Sequence, residues 1–407
     1  MSLGGTVLPH GAAGQRRAVL RGAALVAWSA LGLSACAEPA VAVPAAGGLA
    51  PATALAPWPL WRQFIERCIQ ADGRVVDASV PEQHATSEGQ SYAMFFALVA
   101  NDRPAFEQIW QWTLANLAPQ GLDRQLPAWR WGRKPDGSWG VLDPNAASDA
   151  DLWLAYDLLE AERLWGEPRF GVQARQLLAR VRQDEVVQVP GLGTMLLPGP
   201  QGFAQPAGTW RFNPSYSVLP LFYRLAEAEP DGPWRDLAVN SVRMAEACSP
   251  KGLLPDWLQF RSGDGFVDDA EHGDLGSYDA IRCYLWAGLG PQGDALNTRL
   301  LRCVGGLATA LRNTGSVPEK VRTNSGLATG QGPAGFHAAL LPCLASLGET
   351  ALQAREQAQF DPLIGAQRDR PERPWRYYDQ VLALFALGHV EGRYRFSAQG
   401  QLQRRAR

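Results

Sequence analysis

The sequence is short of the residues on which most enzyme chemistries depend. Its 407 residues include only five His, scattered along the chain. No His or Cys pair stands at metal-ligand spacing, and there is no C-x-x-C. Zinc and thiol redox chemistry therefore have no local support. A nucleophilic Ser or Cys motif and a Gly-rich phosphate loop are also missing. Neither a cofactor nor a metal is expected. Net charge is only −2, and no basic run lies beyond the N-terminal segment. That argues against nucleic acid or an anionic membrane surface as partner. The apolar run at 22–33 is too short to span a bilayer. No segment repeats at a fixed period.

What the N-terminus does contain reads as an address. Arg16, Arg17 and Arg21 form a basic region ahead of the apolar run. Ala35-Cys36-Ala37 fits a signal cleavage site, and the stretch 33–36 also resembles a lipoprotein signal that would place a lipid on Cys36. Residues 16–21 resemble a twin-arginine signal. All three readings predict export, to the periplasm or beyond the cell. Residues 1–37 are thus assigned to an export signal, 38–56 to an Ala/Pro-rich linker, 57–398 to a catalytic domain and 399–407 to a polar basic tail. Cys68, Cys248, Cys283, Cys303 and Cys343 are five in number, so at least one stays unpaired. Most read as core residues.

Helical spacing of apolar residues predicts twelve helices. They cover 58–68, 87–100, 103–117, 148–165, 168–183, 215–228, 234–248, 277–289, 295–311, 335–347, 352–359 and 375–388. Segments 126–142 and 186–197 read as β-hairpins. Twelve helices joined by short turns can close as six hairpins in a ring, the all-α arrangement called an (α/α)6 barrel. A solenoid or an irregular α-domain also remains open.

Four polar motifs open even-numbered helices. Thr86-Ser87-Glu88-Gly89-Gln90 opens the second, with Ser87 and Gln90 at the spacing of a capping box. Ser148-Asp149-Ala150-Asp151 opens the fourth, Asn213-Pro214-Ser215-Tyr216 the sixth, and Ser277-Tyr278-Asp279-Ala280-Ile281-Arg282 the eighth. In a ring of alternating direction, even helices all start at one mouth. That mouth collects Glu88, Asp149, Asp279, Tyr216 and Tyr278. The hairpin indoles of Trp129 and Trp131, two residues apart on a strand, share a face there. Fifteen Trp suit an aromatic-lined cleft, although large cores also use them. Indoles stack on sugar rings and carboxylates reach hydroxyls, so the pattern points to glycoside hydrolysis. Arg282 lies on the same helical side as Asp279, which suits Asp279 as the base. Glu88 is then the acid, which requires burial and negative neighbours such as Asp149 to overcome the helix dipole. Asp151 is expected to point elsewhere, as a cap.

Read as whole motifs, the chain resembles glycoside hydrolase family 8, above all the periplasmic members that accompany bacterial cellulose synthase complexes. The resemblance rests on T-S-E-G-Q-S-Y-A-M-F-F-A-L at 86–98, L-P-A-W-R-W-G at 126–132 and A-S-D-A-D-L-W-L-A at 147–155. It extends to R-F-N-P-S-Y at 211–216, S-Y-D-A-I-R at 277–282 and P-E-K-V at 318–321. It implies an (α/α)6 barrel and inverting cleavage of a β-1,4-glucan chain. It implies Glu88 as proton donor and Asp279 as general base, supported by Arg282 and Tyr216. Asp149 is implied to contact the distorted sugar, and Trp129 and Trp210 to stack on sugar rings. A cellulose synthase complex is the implied partner. Another β-1,4 polymer, xylan or chitosan, and a glycan-binding role without turnover are the alternatives.

Overall fold

The computed structural model describes residues 57–77, 80, 83–368 and 376–405. The export signal, Cys36 and the linker lie outside the described residues. Among the described residues thirteen α-helices carry the fold: α1 (Pro59–Cys68), α2 (Ser87–Ala100), α3 (Arg103–Leu117), α4 (Ser148–Trp165), α5 (Pro168–Asp184), α6 (Leu219–Ala228), α7 (Trp234–Cys248), α8 (Ala280–Leu289), α9 (Ala295–Val304), α10 (Gly306–Thr314), α11 (Ala334–Ser346), α12 (Thr350–Arg368) and α13 (Tyr377–Val390).

Composition sorts them into two layers. Helices α2, α8, α11 and α13 are apolar around nearly their whole circumference and are buried along most of their length. A helix without a polar face can only sit inside. With α4 and α6 they form an inner ring. Helix α2 packs on α4 and α4 on α6, the turn before α6 packs on α8, then α8 on α11, α11 on α13, and α13 returns to α2. Helices α1, α3, α5, α7 and α9 bury only one stripe each and lie outside. The result is the (α/α)6 barrel. Gly288 of α8 has a packing reason: a Cβ there meets the backbone N of Cys343 in α11 at 2.3 Å. Only glycine permits so close a crossing.

The ring axis is filled with aromatics. Phe385 meets Phe96 at 4.7 Å, Tyr92 at 5.0 Å and Trp286 at 5.1 Å, and Phe95 meets Trp153 at 5.0 Å. Trp110, Trp153, Trp234 and Trp286 are fully buried. Part of the Trp excess therefore belongs to the core and not to a cleft.

Several boundaries differ from the sequence reading: the helix expected at 352–359 runs Thr350–Arg368, the one expected from 277 starts at Ala280, and three further differences matter for the fold. The expected 295–311 helix is two, because the chain breaks at Gly305 and the Gly306 N–H turns out to the Gly252 carbonyl (3.0 Å). The sixth helix starts at Leu219 and not at residue 215. Pro214–Tyr216 form a separate 3-10 turn, and Pro220, which has no N–H to give, occupies the first turn of α6. Residues 399–405 are no tail. Strand Leu402–Arg404 pairs with Tyr394–Phe396, Leu402 is buried, and its N–H donates to the buried carboxylate of Glu160 (2.8 Å).

The long connections all enter inner helices. They carry a three-stranded sheet (85–86, 130–133, 139–143), a four-stranded sheet (204–205, 209–212, 258–261, 265–268) and a three-stranded sheet (275–276, 320–322, 328–329). These short sheets stand where the inner helices begin. The five cysteines among the described residues are free thiols, and all but the half-buried Cys248 are buried.

Candidate active site

The start of α2 is capped by Thr86, whose Oγ1 accepts the Gly89 N–H (3.0 Å). Ser87, expected as the cap, is the first helical residue. Its N–H donates to the Trp129 carbonyl (3.0 Å), which ties the helix start to the hairpin. Gln90 closes no capping box. It is buried, and its amide accepts from Val75 N–H (2.6 Å) and donates to Thr113 Oγ1 (3.1 Å). Glu88 is thus the second helical residue, free of any capping duty, with a side chain 22% exposed. Gly89 leaves room behind it: a Cβ there stands 2.9 Å from the Tyr377 hydroxyl.

The start of α4 is held by the Ser148 N–H on the Pro198 carbonyl (3.0 Å). Asp149 accepts the Ala150 N–H (2.8 Å) and is almost fully buried. Asp151 does point elsewhere, but it is not a cap. It is fully buried, and so is Glu185, the residue after α5. Burial pushes both acids well up, with the Asp149 charge adding to it at Asp151 and the Asp151 charge adding to it at Glu185.

Asp279 stands at the N-cap of α8. Its Oδ1 accepts from Arg282 Nη2 (2.8 Å) and its Oδ2 from Trp257 Nε1 (3.1 Å). Arg282, nearly fully buried, is the hub. Its Nη1 binds Glu88 and lies 3.8 Å from Asp149; its Nη2 also donates to Ser215 Oγ (2.9 Å). Its guanidinium carbon lies 5.7 Å from the Tyr216 ring. The structure therefore brings Glu88, Asp149, Asp279, Tyr216 and Arg282 together, from four different inner-helix approaches. One guanidinium serves three carboxyls. Burial still dominates: it raises Glu88 above the ordinary carboxyl range, with the Asp279 charge adding to it, although Arg282 pulls the other way. Asp149 is raised to about 7, again by burial, with Glu88 contributing.

The aromatic residues separate. Trp129, half-buried, adjoins the start of α2 through its carbonyl, and the Arg130 guanidinium lies 5.8 Å from its ring. Trp131 lies on the strand 130–133, and the register shift between Arg130 and Trp131 is absorbed by the extra residue Leu142 on the partner strand. The Trp131 ring is taken up by Trp139, stacked at 5.4 Å, Trp112, edge-on at 5.2 Å, and the Arg74 guanidinium. Trp210 packs on Phe260 in the four-stranded sheet. Tyr278 lies on the rim, 39% exposed, against Phe336.

Two residues at the site escaped the sequence reading. Trp257 donates directly to Asp279, stacks in parallel on Phe203 (5.9 Å), and has the Arg211 guanidinium 4.5 Å from its ring. Asp256, beside it, accepts from the backbone of the Asp279 turn. Neither lies in a motif; only their adjacency in a Trp/Phe-rich loop hinted at them.

Among the described residues, Asp269, Glu271 and His272 have ligand atoms close enough for a metal. Asp269 is already saturated, by both sides of Arg211 (2.7 and 3.1 Å) and by the N–H groups of Glu271 and His272. The cluster is an ion-pair network.

Comparison with known proteins gives a consistent answer. The family described as glycosyl hydrolases family 8 matches residues 40–392. An endoglucanase of Xanthomonas axonopodis pv. citri is 48% identical over 360 residues, 87% of this chain and 92% of its own length. An endoglucanase of Escherichia coli K12 is 44% identical, over 85% of this chain and 90% of that one. The crystal structure of endo-1,4-D-glucanase from Vibrio fischeri superposes with a TM-score of 0.80 at 40% identity, covering 86% of this chain and 99% of the other.

Proposed function

The chain belongs to the glycosyl hydrolases of family 8 and is an endoglucanase; from that premise we propose that it hydrolyses cellulose-type β-1,4-glucan with inversion, with Glu88 as general acid and Asp279 as general base. The observation that carries this reading is a partly buried Glu88 and an Asp279 held by a donor on each oxygen, both around one guanidinium. Burial moves Glu88 toward the protonated form despite Arg282. A general acid needs that state at neutral pH. Asp279 has an N–H donor on each oxygen, which fixes its plane and leaves lone pairs to orient a water.

In the proposed reaction the glucan chain crosses the mouth on Trp129. Glu88 donates its proton to the glycosidic oxygen as the bond to the anomeric carbon breaks. Water attacks that carbon from the opposite face and gives its proton to Asp279. Asp149 contacts the distorted sugar at the cleavage point, and no covalent intermediate forms. A glucan chain expels water from the mouth, which desolvates Glu88 further and strengthens its hold on the proton until the leaving oxygen takes it. The N-terminal signal pattern supports action outside the cytoplasm, with Cys36 as a lipid site. The motif resemblance supports work beside a cellulose-producing complex.

Glu88→Gln is expected to lower kcat on cellopentaose by at least about 10³-fold while leaving folding and cellooligosaccharide binding in place. NMR is expected to show the α-anomer as the first product. Normal turnover by Glu88→Gln, or a β-anomer formed first, removes the assignment.

A further inference from the structure

We propose that Asp256 and Trp257 form a two-residue clamp that positions Asp279, Asp256 gripping its backbone and Trp257 its carboxylate. This deepens the reading of Asp279 as the base and rests on it.

The grip on the backbone is dense. Asp256 Oδ1 accepts three main-chain N–H groups: Ser277 (2.7 Å), Asp279 (3.1 Å) and Ala280 (2.7 Å). Those of Asp279 and Ala280 are donors that the start of α8 leaves without intrahelical partners. An N-cap side chain would take the N–H groups of Ile281 and Arg282, but here these go to the carbonyls of Ser277 (3.0 Å) and Asp279 (3.1 Å). Asp279, the N-cap residue, therefore makes no capping bond. Its carboxylate is left to the cleft while Asp256 holds the turn that leads into the helix. Asp256 itself is nearly buried and anchored, its N–H donating to the Leu275 carbonyl (2.8 Å).

The grip on the carboxylate comes from the next residue. With Arg282 on Oδ1 and Trp257 Nε1 on Oδ2, the plane of the Asp279 carboxylate is set by two N–H donors. The indole cannot swing. Phe203 lies parallel to it within 4°, Tyr216 flanks it at 6.3 Å, and Arg211 covers it. Arg211 is locked in turn by both oxygens of Asp269. Strand Leu258–Arg261 starts right after Trp257, so the clamp is mounted on the four-stranded sheet. Asp256 and Trp257 are positioning residues: they touch the base, and the base alone meets the water.

The test compares Trp257→Phe, Asp256→Asn, Asp256→Ala and Asp279→Asn in the full chain, with kcat, KM, pH profile and melting temperature measured on cellopentaose. Trp257→Phe keeps the stack and loses only the N–H. It is expected to lower kcat roughly tenfold with KM within about twofold, and to move the acid limb of the kcat profile upward by about half a unit. Asp256→Ala is expected to cost roughly 10- to 100-fold in kcat, and Asp256→Asn, which keeps the acceptor oxygen, to restore most of it. Wild-type kcat and pH profile in Trp257→Phe overturns the clamp, as does Asp256→Asn being as impaired as Asp256→Ala. If Asp256→Ala does not fold, the other two variants still decide. If Asp279→Asn retains activity, it is the reading of the base that fails, and not the clamp.

Discussion

The two sides of the cleft present their carboxyls by different means. On one side, Glu88 rides on a regular helix capped by its own neighbour Thr86. Its cap is local, and the Ser87 N–H on the Trp129 carbonyl and the Gln90 amide on Val75 and Thr113 add longer ties. On the other side, Asp279 stands on a turn whose geometry is imposed from residues 256 and 257, more than twenty positions earlier. The first side is capped locally and the second from a distance. An acid needs only to be desolvated and aimed, and a helix start inside a barrel does both. A base must hold a water at a defined place, and that takes donors on both of its oxygens.

The strongest test of this contrast removes what the two sides share. Arg282→Met leaves three carboxyls around a buried space with no cation. It is expected to cut kcat by at least about 100-fold and to cost about 3–5 kcal/mol of stability at pH 8, less at pH 5, where the acids take up protons. Urea unfolding at the two pH values measures this. Equal losses at both mean that the guanidinium serves packing and not charge.

A smaller effect probes the third acid. The folded-state pKa of Asp149 is raised to about 7, above the ordinary value of an unfolded Asp. The native state thus binds more protons between about pH 4 and 7. Its contribution is fully present at the acid end of that window and is lost as pH rises through about 7. Asp149→Asn removes the charge and is expected to be the more stable protein at pH 8, by roughly 1–3 kcal/mol, with the difference gone below about pH 4. Thermal melts across that range read it out. A constant offset at every pH assigns the effect to packing instead.

The smallest effect isolates the local side. Thr86→Ala removes one cap and is expected to cost about 1 kcal/mol, with kcat within about threefold, because the Ser87–Trp129 bond and the buried Gln90 still hold the helix start. If kcat falls as far as in Trp257→Phe, the contrast between a side capped locally and one held from a distance collapses.

The same contrast explains what could be read from the sequence. The ring was legible because the inner helices are apolar on all faces and the motifs fall on alternate helices. Glu88, Asp149, Asp279 and Arg282 were legible because each sits beside a helix start. The cap at α2 was misassigned because Thr86 and Ser87 are both good caps, and only the burial of Gln90 separates them. Asp151 looked like a cap because the buried acid that influences it, Glu185, lies beyond the next helix. The packing of Trp131 could not be read because its ring partners Trp112, Trp139 and Arg74 come from other elements. The role of Trp257 was hinted at only by its Trp/Phe-rich loop, because an indole N–H reaching 22 positions along the chain has no periodicity.

The strands at 394–404 carry a kinetic consequence. Tyr156 donates to the Gly400 carbonyl, and the Leu402 N–H reaches Glu160, contacts between residues 244 and 242 positions apart. Helix α13 likewise closes the ring on α1 and α2. Contacts of such separation form late, because the chain entropy they cost is not repaid until the rest is in place. The barrel therefore behaves like a belt whose buckle fastens last. Refolding should wait on that closure, and once Glu160 is sealed beneath the strand, reopening requires a buried anion to lose its partners. Its durability would then be set more by the rate of unbuckling than by the depth of the folded minimum.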